Sequence, residues 1–256
     1  AAVGSCVITA TKAADTNYTV KTGTVNISIT PVAQAALTAT TTSSSIVYGS
    51  SATLGSTGGS GTGAVTYVSS NGQCAISGIT LTAAGVGSCV ITATKAADSN
   101  YTAKTGTVNI TTVQAAQAGF MATITSSTIA YGGIAILGSS GGSGTGAVTY
   151  ASNNANCTIS GISLTAAAVG SCVITATKAA DTNYTVKTGT VSIVVTKASQ
   201  ANLIPAAANA TLVYLATTTL STTGGTSTGA ITYASNNANC TISGTTLVAA
   251  AVGSCV

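Results

Sequence analysis

Two series of cysteines recur at a fixed interval, and this interval constrains the fold more than any other feature of the sequence. In each series the successive cysteines are 83 positions apart. The series are Cys6, Cys89, Cys172 and Cys255, and Cys74, Cys157 and Cys240. All nine Tyr, all three Asp and six of the seven Lys follow the same interval. A fixed period is the signature of a repeat architecture, so we predict a tandem array of 83-residue repeats.

The repeat divides the 256 residues into four predicted domains. Residues 32–114 and residues 115–197 are each expected to form a complete repeat. Residues 1–31 correspond to the C-terminal part of a repeat, and residues 198–256 correspond to the N-terminal part. A unit of this size can bury one modest core, although it is close to the size at which covalent cross-links help.

The two ends of the sequence overlap. Residues 250–256 have the same sequence as residues 1–7, so the sequence starts and stops at nearly the same point of the repeat. One interpretation is a window on a longer array. The other is a chain whose tail is completed by the head of the next chain, as in donor-strand polymers. The overlap argues against the second interpretation, because one strand would then be supplied twice.

The composition and the alternation of side chains favour β-strands. Val, Ile, Thr and Tyr are abundant, and these residues are enriched in strands. Residues 107–111 alternate polar and apolar side chains, with Val108 and Ile110 on one face, which is the period of a half-buried strand. Gly- and Ser-rich turns such as residues 56–61 separate these runs. About seven short strands per repeat predict an all-β chain of tandem β-sandwiches.

The spacing of the cysteines predicts one disulfide in each repeat, because the members of each pair are 15 positions apart. The predicted pairs are Cys74 with Cys89, Cys157 with Cys172, and Cys240 with Cys255. Cys6 is left without a partner in this segment. Metal binding and free reactive thiols are the alternatives, but a metal site needs about four ligands close together and each repeat offers two. Disulfides indicate an oxidising compartment, so we expect an extracellular or cell-surface protein.

The composition argues against most other function classes. Ten residues are charged, and the chain has no His, Trp, Arg or Glu. Acid–base catalysis usually needs His, Glu or paired carboxylates, and metal sites usually need His or clustered carboxylates, so we expect no enzyme activity and no cofactor. Binding of nucleic acid relies on clustered Lys or Arg, and no basic run occurs in this sequence, so we expect no nucleic-acid partner. The mean hydropathy of +0.53 comes from Ala and Val dispersed among Thr, Ser and Gly, and no uninterrupted apolar stretch of membrane-spanning length occurs.

Three segments of each repeat resemble bacterial immunoglobulin-like repeat domains. In the first complete repeat they are residues 65–71 (VTYVSSN), 75–83 (AISGITLTA) and 87–94 (GSCVITAT). The resemblance implies an immunoglobulin-like sandwich in every repeat. It also implies a bacterial origin and a place in the stalk of a large surface or adhesin-type protein. That family has no catalytic residues to transfer to this chain.

One polar cluster recurs in each repeat, formed in residues 32–114 by Lys95, Asp98, Asn100 and Tyr101. It could be a ligand patch repeated along a fibre or the site of a Lys–Asn isopeptide bond. The simpler interpretation is an Asx-type turn covered by the tyrosine, and we favour it.

The sequence therefore predicts a structural repeat segment of a secreted or cell-surface protein that builds an extracellular filament or stalk. Low charge leaves little repulsion between copies, so we expect self-association with identical repeats or chains. The alternative is an adhesin whose repeats recognise a glycan or a host protein, and it would expose aromatic side chains in loops.

Overall fold

The structure is a computed structural model that describes residues 3–256. Within this range it contains 24 strands and no helix. None of these residues belongs to a helix with the length and hydropathy that crossing a membrane requires.

The first two strands form an isolated antiparallel hairpin, β1 (Gly4–Lys12) and β2 (Lys21–Ile29). Its register runs from the pair Gly4 and Ile29 to the pair Lys12 and Lys21. Every residue of both strands is exposed, including the apolar ones. We call residues 4–29 the head hairpin.

Residues 32–113 form the first sandwich. Its strands are β3 (Val32–Ala33), β4 (Leu37–Thr41), β5 (Ser45–Val47), β6 (Ser51–Gly58), β7 (Val65–Ser69), β8 (Cys74–Ser77), β9 (Thr80–Ala83), β10 (Gly87–Lys95), β11 (Tyr101–Thr102) and β12 (Lys104–Val113). One sheet has the order β4-β6-β9-β8 and the other has the order β5-β12-β10-β7. The short strand β5 pairs parallel to β12, whereas β10 pairs antiparallel to both β7 and β12. A two-residue parallel pair joins β3 to β11.

Side-chain alternation places the core between the two sheets. Leu81 of one sheet and Ile91 and Ile110 of the other are completely buried, whereas Asn109, between two core positions, faces solvent. A disulfide between Cys74 of β8 and Cys89 of β10 joins the sheets through this core. By the loop-entropy estimate such a cross-link contributes about 3 kcal/mol to stability.

The second sandwich repeats this arrangement 83 positions later. Its strands are β13 (Met121–Ile124), β14 (Thr128–Ala130), β15 (Ile134–Ser140), β16 (Val148–Ser152), β17 (Cys157–Ser160), β18 (Ser163–Ala166), β19 (Gly170–Lys178) and β20 (Lys187–Thr196). The sheet orders are β13-β15-β18-β17 and β14-β20-β19-β16. Cys157 and Cys172 form the equivalent disulfide.

The last segment is half a sandwich. Its strands are β21 (Leu203–Ala207), β22 (Thr217–Gly224), β23 (Cys240–Ser243) and β24 (Thr246–Ala249), which form one sheet of order β21-β22-β24-β23. Cys240 is bonded to Cys255. Residues 211–213 and 231–235, which are equivalent to β5 and β7, are not strands here. Their strand partners in a complete sandwich are the two strands of a hairpin equivalent to β10 and β12.

The predicted fold class is therefore confirmed: the chain is all-β and is built of tandem β-sandwich repeats with one disulfide each. The two complete sandwiches have eight strands in their main sheets rather than the expected seven or so. The three disulfides are those of a protein that matures in an oxidising compartment, outside the cytosol.

Candidate functional site: the junction between repeats

The polar cluster of the first sandwich is an Asx-type loop. The Asp98 carboxylate accepts hydrogen bonds from the backbone N–H groups of Thr62 at 2.7 Å, Asn100 at 2.9 Å and Tyr101 at 2.9 Å. The Thr62 hydroxyl also donates to it at 3.2 Å. These bonds, with that from the Thr62 backbone the strongest, hold the pKa of Asp98 below its ordinary value. The carboxylate thus ties the loop after β10 to the Gly-rich loop after β6.

The other predicted members of the cluster also lie in this loop region. Lys95 ends β10, and its aliphatic stem lies over the Gly-rich loop, so that a Cβ on Gly59 would approach the Lys95 Cδ to 2.6 Å. Asn100 and Tyr101 contribute the backbone groups that bind Asp98. The arrangement uses the carboxylate for folding and leaves it saturated with internal donors.

Sequence reasoning overlooked a buried glutamine that completes this loop region. Gln34 donates through Nε2 to the Ala96 carbonyl at 3.0 Å, and its Oε1 accepts from the Gly61 N–H at 3.2 Å. Gln117 does the same in the second sandwich, with the Ala179 carbonyl and the Gly144 N–H as its partners. Both side chains are buried. The 83-residue interval between Gln34 and Gln117 was the signal that could have revealed them.

In the second sandwich the equivalent loop contacts the first sandwich. The ring of Tyr184 meets the ring of Tyr48 edge to face, with centroids 5.4 Å apart. The Val86 N–H donates to Asn183 Oδ1 at 3.3 Å. Tyr48 follows β5 and Val86 precedes β10, so both lie at the same end of the first sandwich.

The connection between the sandwiches is bonded to the same loop. Gln114 Nε2 donates to the Asp181 carbonyl at 2.5 Å. The Ala115 N–H donates to the Asn183 carbonyl at 2.9 Å, but this bond lies within the second repeat, because the Val32 N–H donates in the same way to the Asn100 carbonyl of the first sandwich. We call the contacts of Tyr48, Val86 and Gln114 with residues 181–184 the junction.

The Asp181 carboxylate organises the second-sandwich side of the junction. It accepts from the backbone N–H groups of Thr145 at 2.6 Å, Tyr184 at 2.8 Å and Asn183 at 2.9 Å. These bonds, chiefly the one from Thr145, lower the pKa of Asp181. The backbone positions of Asn183 and Tyr184, whose side chains reach the first sandwich, are thereby fixed.

The exposure of equivalent tyrosines shows that the junction covers Tyr48. Tyr48 is partly buried, whereas Tyr131, at the equivalent position of the second sandwich, is 56% exposed. Tyr184 and its equivalent Tyr101, which lies outside the junction, are both partly buried, so the exposure of this second position does not depend on the junction. Residues 3–256 contain no group of three or more His, Cys, Asp or Glu side chains that could hold a metal ion. Cys6 lies exposed on β1 with a free thiol.

No known protein family matches this sequence, and no curated protein matches it. Solved structures with a similar arrangement of strands include surface layer protein SbsC, domains 1–6, at 16% identity and a TM-score of 0.30 over all of this chain and 42% of that one. This chain thus spans less than half of that structure's length. Protocadherin gamma B2 extracellular cadherin domains 3–6 match at 11% identity and a TM-score of 0.30, over 98% of this chain and 76% of that one. The Escherichia coli adhesin FdeC matches at 14% identity and a TM-score of 0.26, over 85% and 90% of the two chains. Similarities of this size carry no inference about function.

Proposed function

We propose that this chain is a structural repeat segment of a secreted or cell-surface protein, where it builds an extracellular filament or stalk. The observation that carries the proposal is the junction. A stalk needs successive modules that keep a defined orientation and carry force along its length. Directional contacts at a junction would set that orientation. In this chain an aromatic pair and two hydrogen bonds link the end of one sandwich to a loop of the next.

The similarity of the repeats and their chemistry support the same function. A stalk uses one module many times, and the segment from Cys89 to Asp98 recurs unchanged from Cys172 to Asp181. Each complete sandwich carries a disulfide through its core, which resists unfolding in an extracellular setting. We further propose that the natural domain boundaries are those of the sequence repeat, with modules at residues 32–114 and 115–197.

The adhesin alternative requires exposed aromatic side chains dedicated to a ligand. Tyr131 is exposed, but Tyr48, at the equivalent position of the first sandwich, packs against Tyr184 at the junction. The exposure of Tyr131 therefore gives no specific support to ligand binding.

Residual dipolar couplings of the isotope-labelled chain test the proposal. Two sandwiches that are held at a fixed angle report one common alignment tensor, so we expect a single tensor for residues 32–114 and 115–197. The variant Y184A should give two tensors of different magnitude. The matched control is Y101A, which removes a tyrosine from the same loop position outside the junction and should preserve the single tensor. Separate tensors in the unmodified chain would overturn the proposal of an oriented stalk.

A further inference from the structure

Two isoleucines on the outer face of the second sandwich are exposed to solvent. Ile134 and Ile136 alternate along β15 with the core residues Ala135 and Leu137, so their side chains lie on the outer side of the sheet β13-β15-β18-β17. They are 64% and 43% exposed with residues 3–256 in place, so no other part of the described chain covers them. Residues two apart on a strand are neighbours on one face. We call Ile134 and Ile136 the outer strip.

The other repeats show that this fold does not require isoleucine at either position. The equivalents of Ile134 and Ile136 are Ser51 and Thr53 in the first sandwich, and both are Thr in the last segment. The Ser51 hydroxyl is hydrogen-bonded to the hydroxyl of Thr82 on the next strand at 3.1 Å. An isoleucine cannot make this bond, so the second sandwich has apolar surface where the first has a cross-strand hydrogen bond. A contiguous apolar patch that a fold does not need points to an interaction surface.

The sheet around the outer strip has no charge. No Asp, Glu, Lys or Arg occurs in residues 105–177, which include all four strands of this sheet. The cross-strand neighbours of the strip are Ser163 and Thr165 of β18, whose hydroxyl groups can both donate and accept hydrogen bonds. The four strands also contain no basic or aromatic residue, and these are the side chains that hold proteins at a lipid surface.

A second copy of the same face satisfies all of these features. In a two-fold interface one patch meets its own copy, so apolar side chains lie against apolar side chains and hydroxyl groups against hydroxyl groups. No charge is then buried without a partner. Sheets that stack face to face in this way lie about 10 Å apart.

We propose that two copies of the chain pair through the outer faces of their second sandwiches, with the outer strip of each copy against that of the other. Four strands about 4.8 Å apart give a face about 19 Å wide. A face of this width forms an interface at the small end of the range for specific complexes, so we expect a dimer with a dissociation constant in the micromolar range. The inference goes beyond the proposed stalk function and does not depend on it.

Sedimentation velocity of the full 256-residue chain over a concentration series tests the proposal. The mass of the unmodified chain should rise with concentration from 24.3 kDa toward twice that value. The variant I134S/I136T carries the residues that the first sandwich has at these positions, so it is compatible with the fold. Its dissociation constant should be higher by about a hundredfold or more, because the apolar surface is lost from both sides of the interface.

The matched control is V173T. It also replaces an apolar side chain by a hydroxyl-bearing one, but on the outer face of the other sheet, where Val173 is 38% exposed. The dissociation constant should be that of the unmodified chain. The variant S51I/T53I places a second outer strip on the first sandwich, whose sheet β4-β6-β9-β8 is likewise uncharged, and should form assemblies larger than a dimer.

Four results would overturn the proposal. They are a mass of 24.3 kDa throughout the series, association that I134S/I136T does not weaken, association that V173T weakens equally, and S51I/T53I assemblies no larger than a dimer. Binding of a monomeric chain to phosphatidylcholine vesicles that is lost in I134S/I136T would also overturn it and would assign the face to lipid. Alignment tensors recorded at concentrations where the chain is monomeric test the stalk proposal separately, so the two failures are distinguishable.

Discussion

Tyr48 and Tyr184, which lie 136 positions apart, meet edge to face across the boundary between two repeats, with ring centroids 5.4 Å apart and planes at 82°. Neither tyrosine belongs to a strand of the sandwich that carries it. Beside the pair, the side chain of Gln114 from the first repeat donates to the Asp181 carbonyl in the same loop of the second sandwich. We expect this contact to restrict the relative orientation of the two sandwiches.

A double-mutant cycle on Tyr48 and Tyr184 should show coupling between the repeats. Aromatic pairs contribute about 0.5–1.5 kcal/mol beyond the area they bury, so Y48A and Y184A together should cost less than the sum of the single variants by that amount. The free energy of unfolding from urea denaturation measures it. The pair Y131A and Y18A, whose rings are exposed, serves as the control and should show additivity. Additive effects of Y48A and Y184A would mean that the ring contact contributes nothing to stability.

The disulfide of a complete sandwich should be a major contributor to its stability. Replacing both Cys157 and Cys172 by Ala should lower the free energy of unfolding of the second sandwich by about 3 kcal/mol, because the open chain gains loop entropy. Urea denaturation monitored by tyrosine fluorescence measures the change. C6A removes an exposed free thiol and should leave the stability of both sandwiches unchanged. A loss well below about 3 kcal/mol would show that the two sheets hold together without the cross-link.

The buried glutamine of the loop region should matter in the second sandwich and not in the last segment. Q117L leaves the Gly144 N–H and the Ala179 and Thr185 carbonyls without their partner, so we expect a loss of about 1–3 kcal/mol. The matched control is Q200L, because Gln200 holds the equivalent position but is exposed. Thermal unfolding of the two variants gives the comparison. Equal effects would indicate that burial of the glutamine has no energetic consequence.

Acid should weaken the loops that are organised by Asp98 and Asp181. Both carboxyls have a lowered pKa in the folded state, because backbone N–H groups bind the ionised form. The stabilisation is therefore complete above the ordinary carboxyl pKa of 3.8, and it is lost as the pH falls below that value toward the folded-state pKa. Amide exchange of Thr145, Asn183 and Tyr184 followed from pH 5 downward, with D181N as the reference, measures the effect. The pH dependence of amide exchange in the second sandwich should disappear in D181N and persist in D98N.

Replacing an isoleucine by alanine should lower the free energy of unfolding more in a complete sandwich than at the equivalent position of the head hairpin. I174A removes a completely buried side chain and should cost about 2–5 kcal/mol. I8A, at the equivalent position of β1, should change stability by less than about 0.5 kcal/mol in a dilute, monomeric sample, because Ile8 is 52% exposed. Urea denaturation at low protein concentration gives both values. A comparable loss for I8A would show that the head hairpin already packs against another part of the same chain.

The amino-acid sequence by itself determined the repeat, the strand content and the cysteine arrangement. These follow from local pattern: side chains that alternate with period two form strands, and cysteines that recur 15 and 83 positions apart mark one cross-link per repeat. The interpretation of the polar cluster as an Asx-type turn likewise depended on near neighbours, since Asp98 binds the backbone of Asn100 and Tyr101.

The tertiary structure decided everything that depends on distant partners. Three features of the structure depend on residues 62 or more positions apart, and the local sequence pattern does not indicate them. They are the parallel pairing of β5 with β12, the hydrogen bonds of buried Gln34 and Gln117 to Ala96 and Ala179, and the contact of Tyr48 with Tyr184. The exposed face of the head hairpin has the same explanation. Its first strand has the same sequence as β10, and the difference between surface and core lies in which sheet stands opposite, because burial is a property of the packed partners and not of the strand itself.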